Sequence, residues 1–285
     1  MSRIAYVNGQ YRAMREASVN IEDRGYQFAD GVYEVCEVRG GKIVDMPRHM
    51  VRLKRSLSEL QIAMPMPESS LKVVIHEVVR RNCVSYGLIY LQITRGVAHR
   101  DHAFPSSRVA PSLIVTAKSL NFEKNQQAAA HGIKVITVPE NRWPRVDIKS
   151  VSLLPNVLAK QQAKEQGAYE AWFVDHDGFV TEGSSSNAWI VTRDGRVVTR
   201  SAESGILGGI TRAVLIDVLA ALQIKLEERP FTTQEAYEAE EAFVTASTQI
   251  VMPVIAVDGK AIGSGRPGPL AAKLRDHFHQ FSTFS

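Results

Sequence analysis

Lys149 stands in the run Val146-Asp147-Ile148-Lys149-Ser150-Val151-Ser152-Leu153, which is rich in β-branched residues. Drawn out as an extended segment, this run puts Lys149 on one face with Val151 and Leu153. An amine held among apolar neighbours is desolvated, which favours its neutral, nucleophilic form. Such an amine can form a Schiff base with a carbonyl compound. The same pattern also suits a lysine at a strand edge, its stem on apolar surface and its ammonium in water. A second cluster, Thr181-Glu182-Gly183-Ser184-Ser185-Ser186-Asn187, crowds small hydroxyl and amide residues around one acid and leads into an apolar strand. A carboxylate there can pair with a protonated ring nitrogen, or the serines can simply satisfy a polar loop.

The segment Gly205-Ile206-Leu207-Gly208-Gly209-Ile210-Thr211-Arg212 precedes a helical pattern over Ala213–Leu222. Glycines before a helix let the backbone approach a ligand, and the first free N–H groups together with Thr211 suit a phosphate. A plain glycine turn reads equally well. The segment is neither a P-loop nor a dinucleotide fingerprint. Arg100 and His102, between a strand pattern and Phe104-Pro105, offer two donors suited to a carboxylate, or a solvated loop. The eight histidines show no His-Glu-x-x-His zinc pattern, and no Gly-x-Ser-x-Gly elbow occurs.

The elements that must position these residues are mixed. Val32, Glu34 and Cys36 alternate with Tyr33, Val35 and Glu37 in a strand that runs into the Gly40-Gly41 turn. Met50, Leu53, Leu57 and Leu60 fall at helical spacing, as do Leu71, Val74, Ile75, Val78 and Val79. A strand pattern follows at Leu88–Thr94. The polar stretch Asn121–Gly132 marks a domain boundary at its start. Beyond it, Ile133–Val138 reads as a strand and Pro155–Gln166 as a helix, with proline in its first turn and Gly167 at its end. Tyr169–Val174 and Ala188–Thr192 read as strands. Asp194-Gly195 and Asp258-Gly259 each suit a two-residue hairpin turn. Hairpins interleaved with helices, without regular strand–helix–strand repetition, predict an α+β fold. The predicted domains are residues 1–120 and a larger 121–285.

Composition narrows the function classes. With 285 residues, 45% hydrophobic and 22% charged, the chain is that of an ordinary globular protein. Thirty-four Lys and Arg against 30 Asp and Glu give a formal charge of +4. The densest basic patch, Arg48, His49, Arg52, Lys54 and Arg55, has no aromatic residues interleaved as a stacking platform, so no nucleic-acid partner is expected. It suffices to place one or two cations on a small anion. No apolar run approaches the roughly 18 residues of a membrane span. Met1–Asn8 is too short and polar for a signal peptide, so a cytoplasmic address is expected. Cys36 and Cys83 give neither a disulfide framework nor metal-type spacing, and no metal is expected.

Together these segments resemble the fold-type IV pyridoxal-phosphate enzymes, in particular the D-amino-acid (D-alanine) aminotransferases. The resemblance runs from Glu22-Asp23-Arg24-Gly25-Tyr26-Gln27-Phe28, through Asp30-Gly31-Val32-Tyr33-Glu34, to Phe243-Val244-Thr245. Asp147-Ile148-Lys149-Ser150 and Thr181–Asn187 are its most specific motifs. It implies a two-domain fold with pyridoxal 5'-phosphate bound between the domains, mainly by the C-terminal one. It implies that Lys149 carries the cofactor as a Schiff base and moves the Cα proton, and that Glu182 pairs with the pyridine nitrogen. Arg52, Ile210, Thr211 and Ser247 are then phosphate contacts, and Leu207 packs against the ring.

For substrate, the resemblance implies that Tyr33, Arg100 and His102 hold the α-carboxylate, with the Arg-x-His pair reaching in from the neighbouring subunit of a homodimer. The expected reaction moves an amino group between D-amino acids (D-alanine, D-glutamate, D-aspartate) and 2-oxo acids (2-oxoglutarate, pyruvate). Branched-chain aminotransferases usually carry Tyr-x-Glu-Gly-x-Arg at the early strand, whereas this chain reads Tyr33-Glu34-Val35-Cys36-Glu37-Val38. The alternatives of the same fold are a branched-chain L-amino-acid or (R)-amine transaminase and an aminodeoxychorismate lyase. Arg100 and His102 argue against the amine and lyase pockets, which have no need of such a trap.

Overall fold

The computed structural model describes residues 3–106 and 109–285. Met1 and Ser2, which open the segment expected not to be a signal peptide, lie outside the described residues. Two compact units are resolved among the described residues: those up to 122 with 148–152 and 283–285, and those of 123–147 and 153–282.

Among the described residues, the first unit carries a six-stranded antiparallel sheet. Its strands are β1 (Ile4–Val7), β2 (Gln10–Ala13), β3 (Gly31–Arg39), β4 (Lys42–Ile43), β5 (Tyr86–Thr94) and β6 (Ser112–Ser119), in the order β2-β1-β6-β5-β3-β4. The helices are α1 (Arg24–Phe28), α2 (Met46–Glu59) and α3 (Glu68–Arg81). The alternation read at residues 32–38 is realised in β3, with Val32, Cys36 and Val38 buried in the core. Met50, Leu53 and Leu57 of α2 and Leu71, Ile75 and Val78 of α3 are buried in the same core. Glu34 shares the buried face of β3 and is itself wholly buried.

The excursion at 148–152 belongs to this unit for a local reason. Ile148 is buried in the core with Val32 and Cys36. Tyr33 N donates to Lys149 O (3.0 Å) and Val151 N to Gly31 O (3.0 Å), so the segment pairs with the start of β3. Only the bridge Val32–Ser150 is regular, and residues 144–147 form a turn, so the run 146–153 is extended in its middle alone. Residues 283–285 join through Ile43 N to Ser285 O (2.7 Å) and Asp45 N to Thr283 O (2.8 Å).

The second unit is built on a mixed sheet. Its strands are β7 (Ile133–Pro139), β8 (Glu170–Val174), β9 (Phe179–Gly183), β10 (Asn187–Val191), β11 (Val197–Thr199), β12 (Leu226–Glu228), β13 (Phe231–Thr232), β14 (Glu241–Ala246), β15 (Ile250–Val257) and β16 (Lys260–Ala261). The order is β12-β11-β10-β14-β15-β7-β8-β9-β13, with β16 on β15. The helices are α4 (Phe122–His131, whose first residue falls in the first unit), α5 (Leu154–Glu165), α6 (Ile210–Ala221), α7 (Thr233–Glu238) and α8 (Pro269–Phe278). Parallel β7 and β8 are joined across α5, whose Ala159 and Ala163 pack with Val138 and Phe173. Helices α6 and α8 bury Val214, Leu215, Val218 and Leu274 against Trp189 and Phe243.

Two local readings are refined. Asp258 and Gly259 both take positive φ (50° and 78°), as a two-residue type I' turn requires. At Asp194-Gly195 only Gly195 does, and Thr192 N donates to Arg196 O across a three-residue connection. The polar stretch opening at Asn121 is largely the helix α4. Among the described residues no helix is long and apolar enough to cross a membrane. No group of three or more His, Cys, Asp or Glu among them stands ready for a metal.

Candidate active site

In the first unit, the candidate residues gather where β3, α2 and the 148–152 segment meet. Ser56 Oγ of α2 accepts from Lys149 N (3.3 Å). The Lys149 ammonium lies over the Tyr33 ring, 4.2 Å from its centroid, and Tyr33 stacks on Tyr90. Lys149 is half-buried. The aliphatic surroundings suggested by alternation with Val151 and Leu153 are thus replaced by an aromatic face, whose π electrons attract a cation.

His49, Arg52 and Ser56 recur every three or four residues along α2, so they share one strip of it. Arg52 clasps Glu34 with two parallel bonds, Nε to Oε1 (2.8 Å) and Nη2 to Oε2 (2.7 Å). His49 Nδ1 stands 2.7 Å from the same Oε2. Burial alone would raise the Glu34 pKa, but Arg52 and His49 outweigh it and hold the carboxyl well below its ordinary range. Burial lowers His49 despite the neighbouring carboxylate. A neutral imidazole donating from Nδ1 to Glu34 satisfies both groups. Glu34 was not read as a site residue, and His49 was read only as a member of the basic patch. The available signal was a carboxylate on the apolar face of a strand, followed by a helix with basic residues three apart.

Arg100 and His102 lie in the connection after β5, and both are exposed. Neither side chain makes a hydrogen bond among the described residues. Both flank Phe28: Arg100 stands 5.1 Å above its ring and the His102 ring 5.4 Å away.

In the second unit, Glu182 is buried at the end of β9. Its Oε1 accepts from Arg142 Nη1 (2.6 Å) and its Oε2 from Asn187 Nδ2 (3.1 Å), with Leu207 N also within 3.2 Å. Arg142 is held in turn by Glu140 through Nε (2.8 Å) and Nη2 (2.6 Å), and lies over the Phe173 ring. Burial raises the Glu182 pKa, and Arg142 offsets only part of that rise. Arg142 was missed because Glu182, the acid it holds at the site, lies 40 residues away in sequence.

Ile210 and Thr211 open α6, which has no side-chain cap, so its first N–H groups keep no intrahelical acceptor. A Cβ on Gly209 would run into Asn187 Oδ1, so the glycine is needed for close approach at this helix start. Ser247 is half-buried in the turn between β14 and β15. Just beyond that turn, Ile250 at the start of β15 takes φ 61°, an uncommon conformation for a β-branched residue. The structure thus brings Lys149, Tyr33 and Arg52 together in one unit, and Glu182 and Leu207 in the other.

Residues 31–257 match the family model for amino-transferase class IV. The chain belongs to the class IV aminotransferases. This aminotransferase is 38% identical over 277 residues to a D-alanine aminotransferase of Staphylococcus haemolyticus, covering 97% of this chain and 96% of that one. It is 40% identical over 268 residues to a D-alanine aminotransferase of Bacillus licheniformis, covering 94% and 93%. Among solved structures it matches a branched-chain amino acid aminotransferase from T.th., crystallised with pyridoxamine 5'-phosphate, at TM-score 0.89 and 26% identity, covering 98% and 94%. The Escherichia coli branched-chain aminotransferase matches at TM-score 0.90 and 23% identity, covering 98% and 94%, a likeness of fold. The aminotransferase is therefore an α+β protein of fold-type IV.

Proposed function

We propose that this class IV aminotransferase is a D-amino-acid transaminase that uses pyridoxal 5'-phosphate to move an amino group between D-alanine, D-glutamate or D-aspartate and 2-oxoglutarate or pyruvate. The observation that carries this reading is the likeness, along nearly the whole chain, to relatives named D-alanine aminotransferases. The branched-chain enzymes among the solved structures share the fold at lower identity.

The donor set fits the cofactor's functional groups. Lys149 offers an amine for the aldehyde. Glu182 offers a buried carboxylate for the ring nitrogen, with Leu207 beside it for the ring. The uncapped start of α6 at Ile210 and Thr211, with Arg52 and Ser247, offers donors for the phosphate. Most of this set lies within residues 121–285, which we assign as the cofactor-binding part, and residues 1–120 as the smaller domain.

Bound there, the cofactor supplies a carbonyl that condenses with amines and a ring that draws electrons from Cα. The protein's own residues do the rest. Lys149 Nζ would hold the cofactor through its aldehyde and, once displaced by the substrate amine, would be free to move the proton at the substrate Cα. Glu182 would place its carboxylate at the ring nitrogen, with Arg142 opposing the rise that burial gives its pKa. Tyr33, Arg100 and His102 receive the α-carboxylate, and the two cationic side chains give it charge-assisted bonds.

The working form is read as a homodimer in the cytoplasm. Helix α5 exposes Leu154, Val157 and Leu158 by 58–68%, at the spacing of one helix face, and a second copy of the chain is the cover proposed for it. Light scattering across a dilution series tests the dimer. Half-reactions with D- and L-alanine, D-glutamate, L-leucine and (R)-1-phenylethylamine, followed by cofactor absorbance, test the substrate. Preference for L-leucine over D-alanine would overturn the D-specific reading.

A further inference from the structure

We propose that Arg24 is a positioning residue for the substrate carboxylate: it anchors the main chain that carries Arg100 and His102, and so sets how tightly that carboxylate is held. The proposal rests on the reading that Arg100 and His102 receive the α-carboxylate.

Arg24 is 3% exposed, an unusual place for a guanidinium without a dedicated set of acceptors. Its Nε donates to Asp30 Oδ2 (2.8 Å), and Nη1 donates to Asp101 O (2.6 Å). Nη2 stands 3.4 Å from His102 O. The guanidinium therefore reads the backbone of the Arg100–His102 pair itself, one carbonyl between the two residues and one on the second. Its flat face lies 4.8 Å from the Phe28 ring, which Arg100 and His102 also flank. Main-chain bonds fasten the same platform, from Arg24 N to Gly96 O (2.9 Å) and from Ala98 N to Glu22 O (3.3 Å).

The start of the loop is fixed by the same carboxylate. Arg95 clasps Asp30 through Nε (2.7 Å) and Nη2 (3.0 Å), donates to Leu60 O and Gln61 O, and lies 3.7 Å from the Phe104 ring. Asp30 thus pairs with two buried arginines, one holding the carbonyls of residues 101 and 102 and the other resting against Phe104. The anchors are inside and the working side chains outside. Arg100 and His102 are exposed and keep their donors for a ligand. A lysine at position 24 has one nitrogen and no flat fork, so it cannot reach Asp30 and two carbonyls together.

The test uses the cofactor-loaded enzyme with Arg24→Lys, Arg24→Met, Arg100→Ala and the double variant Arg24→Met/Arg100→Ala. Both Arg24 variants are expected to raise KM for D-alanine roughly tenfold, with kcat at saturation little changed. Reactivity with (R)-1-phenylethylamine, which has no carboxylate, is expected to move by less than about twofold. In the Arg100→Ala background, Arg24→Met is expected to add clearly less than it does alone, because one of the two side chains it positions is gone. Every subunit carries the substitution, so the outcome does not depend on which subunit's substrate the loop serves. Equal losses for D-alanine and the amine, or a full additional loss in the double variant, would overturn the proposal and leave Arg24 a structural residue. Should Arg24→Met fail to fold, Arg24→Lys keeps the charge and carries the same KM test. An Arg100→Ala enzyme with unchanged KM for D-alanine would instead overturn the carboxylate reading, whatever Arg24 does.

Discussion

The Arg142 guanidinium donates from Nη1 to the buried carboxylate oxygen Oε1 of Glu182 at 2.6 Å. Without it, desolvation would act on Glu182 with little opposition. Replacing Arg142 with Met is expected to raise the Glu182 pKa further above its ordinary value of 4.5. The carboxyl would then keep its proton to higher pH. The shift can be followed by 13C resonance of the labelled glutamate δ-carbon in the cofactor-free protein. An unchanged titration would mean that Arg142 does not set the charge at this position.

Glu182→Gln tests the charge itself. Glutamine keeps a hydrogen-bonding group but cannot hold the ring nitrogen protonated, so turnover should fall by roughly 10²–10³-fold or more. Steady-state rates with D-alanine and 2-oxoglutarate read this directly. Near-normal turnover would place another group against the ring nitrogen.

Lys149→Ala should abolish turnover while part of the cofactor affinity survives, since phosphate and ring contacts come from other residues. Borohydride reduction should fix the cofactor covalently to the wild-type protein and not to the variant. Mass spectrometry of the reduced protein identifies the lysine, and attachment elsewhere would sink the assignment.

Glu34 and His49 make the protein acid-sensitive with one sign. Glu34 is depressed in the folded state, so its contribution is present above the ordinary value of 4.5 and is lost as pH falls below it. His49 is also depressed, so below its ordinary 6.5 the unfolded chain takes up a proton that the folded one refuses. Both therefore remove stability on acidification. Glu34→Gln leaves Arg52 buried without its counter-charge and should cost about 3–5 kcal/mol at neutral pH. It should also flatten the fall in stability below pH 4.5 seen by denaturant titration.

Gly209→Ala probes the start of α6. The backbone there (φ −67°) accepts any residue, so the effect comes from the new methyl group meeting the Asn187 amide. Asn187 also holds Glu182 and Leu207, so their arrangement must shift. A stability loss of roughly 1–3 kcal/mol is expected, with weaker retention of the cofactor on dialysis. Unaltered retention would separate this helix start from the phosphate.

Much of the framework was legible because burial follows apolar periodicity. The alternation in β3 and the three- and four-residue spacing in α2 and α3 describe residues that all face one core. The boundaries of α5 were legible from Pro155 and Gly167, which act locally. The site was legible only in its outline. Glu34, His49, Arg142 and Arg24 are charged or polar, so residue type alone assigns them to solvent. Each has at least one partner far along the chain: Glu34 is 18 residues from Arg52, Arg142 is 40 from Glu182, and Arg24 is 77 from the Asp101 carbonyl. Such a long-range contact carries no local signature. Helix α4 was passed over for a related reason, since Ala129 is the one residue it buries.

The membership of residues 148–152 and 283–285 in the first unit has a consequence for biosynthesis. A ribosome releases residues in order, so the β3 edge waits for Ile148 and Ser150, and the β4 edge waits longer still, for Phe284. The half of the molecule made first is therefore the half finished last. A nascent chain stalled near residue 122 should present those edges unpaired, as a binding surface for chaperones, and an isolated 3–122 fragment should recover its protease resistance only when peptides spanning 146–153 and 281–285 are supplied together.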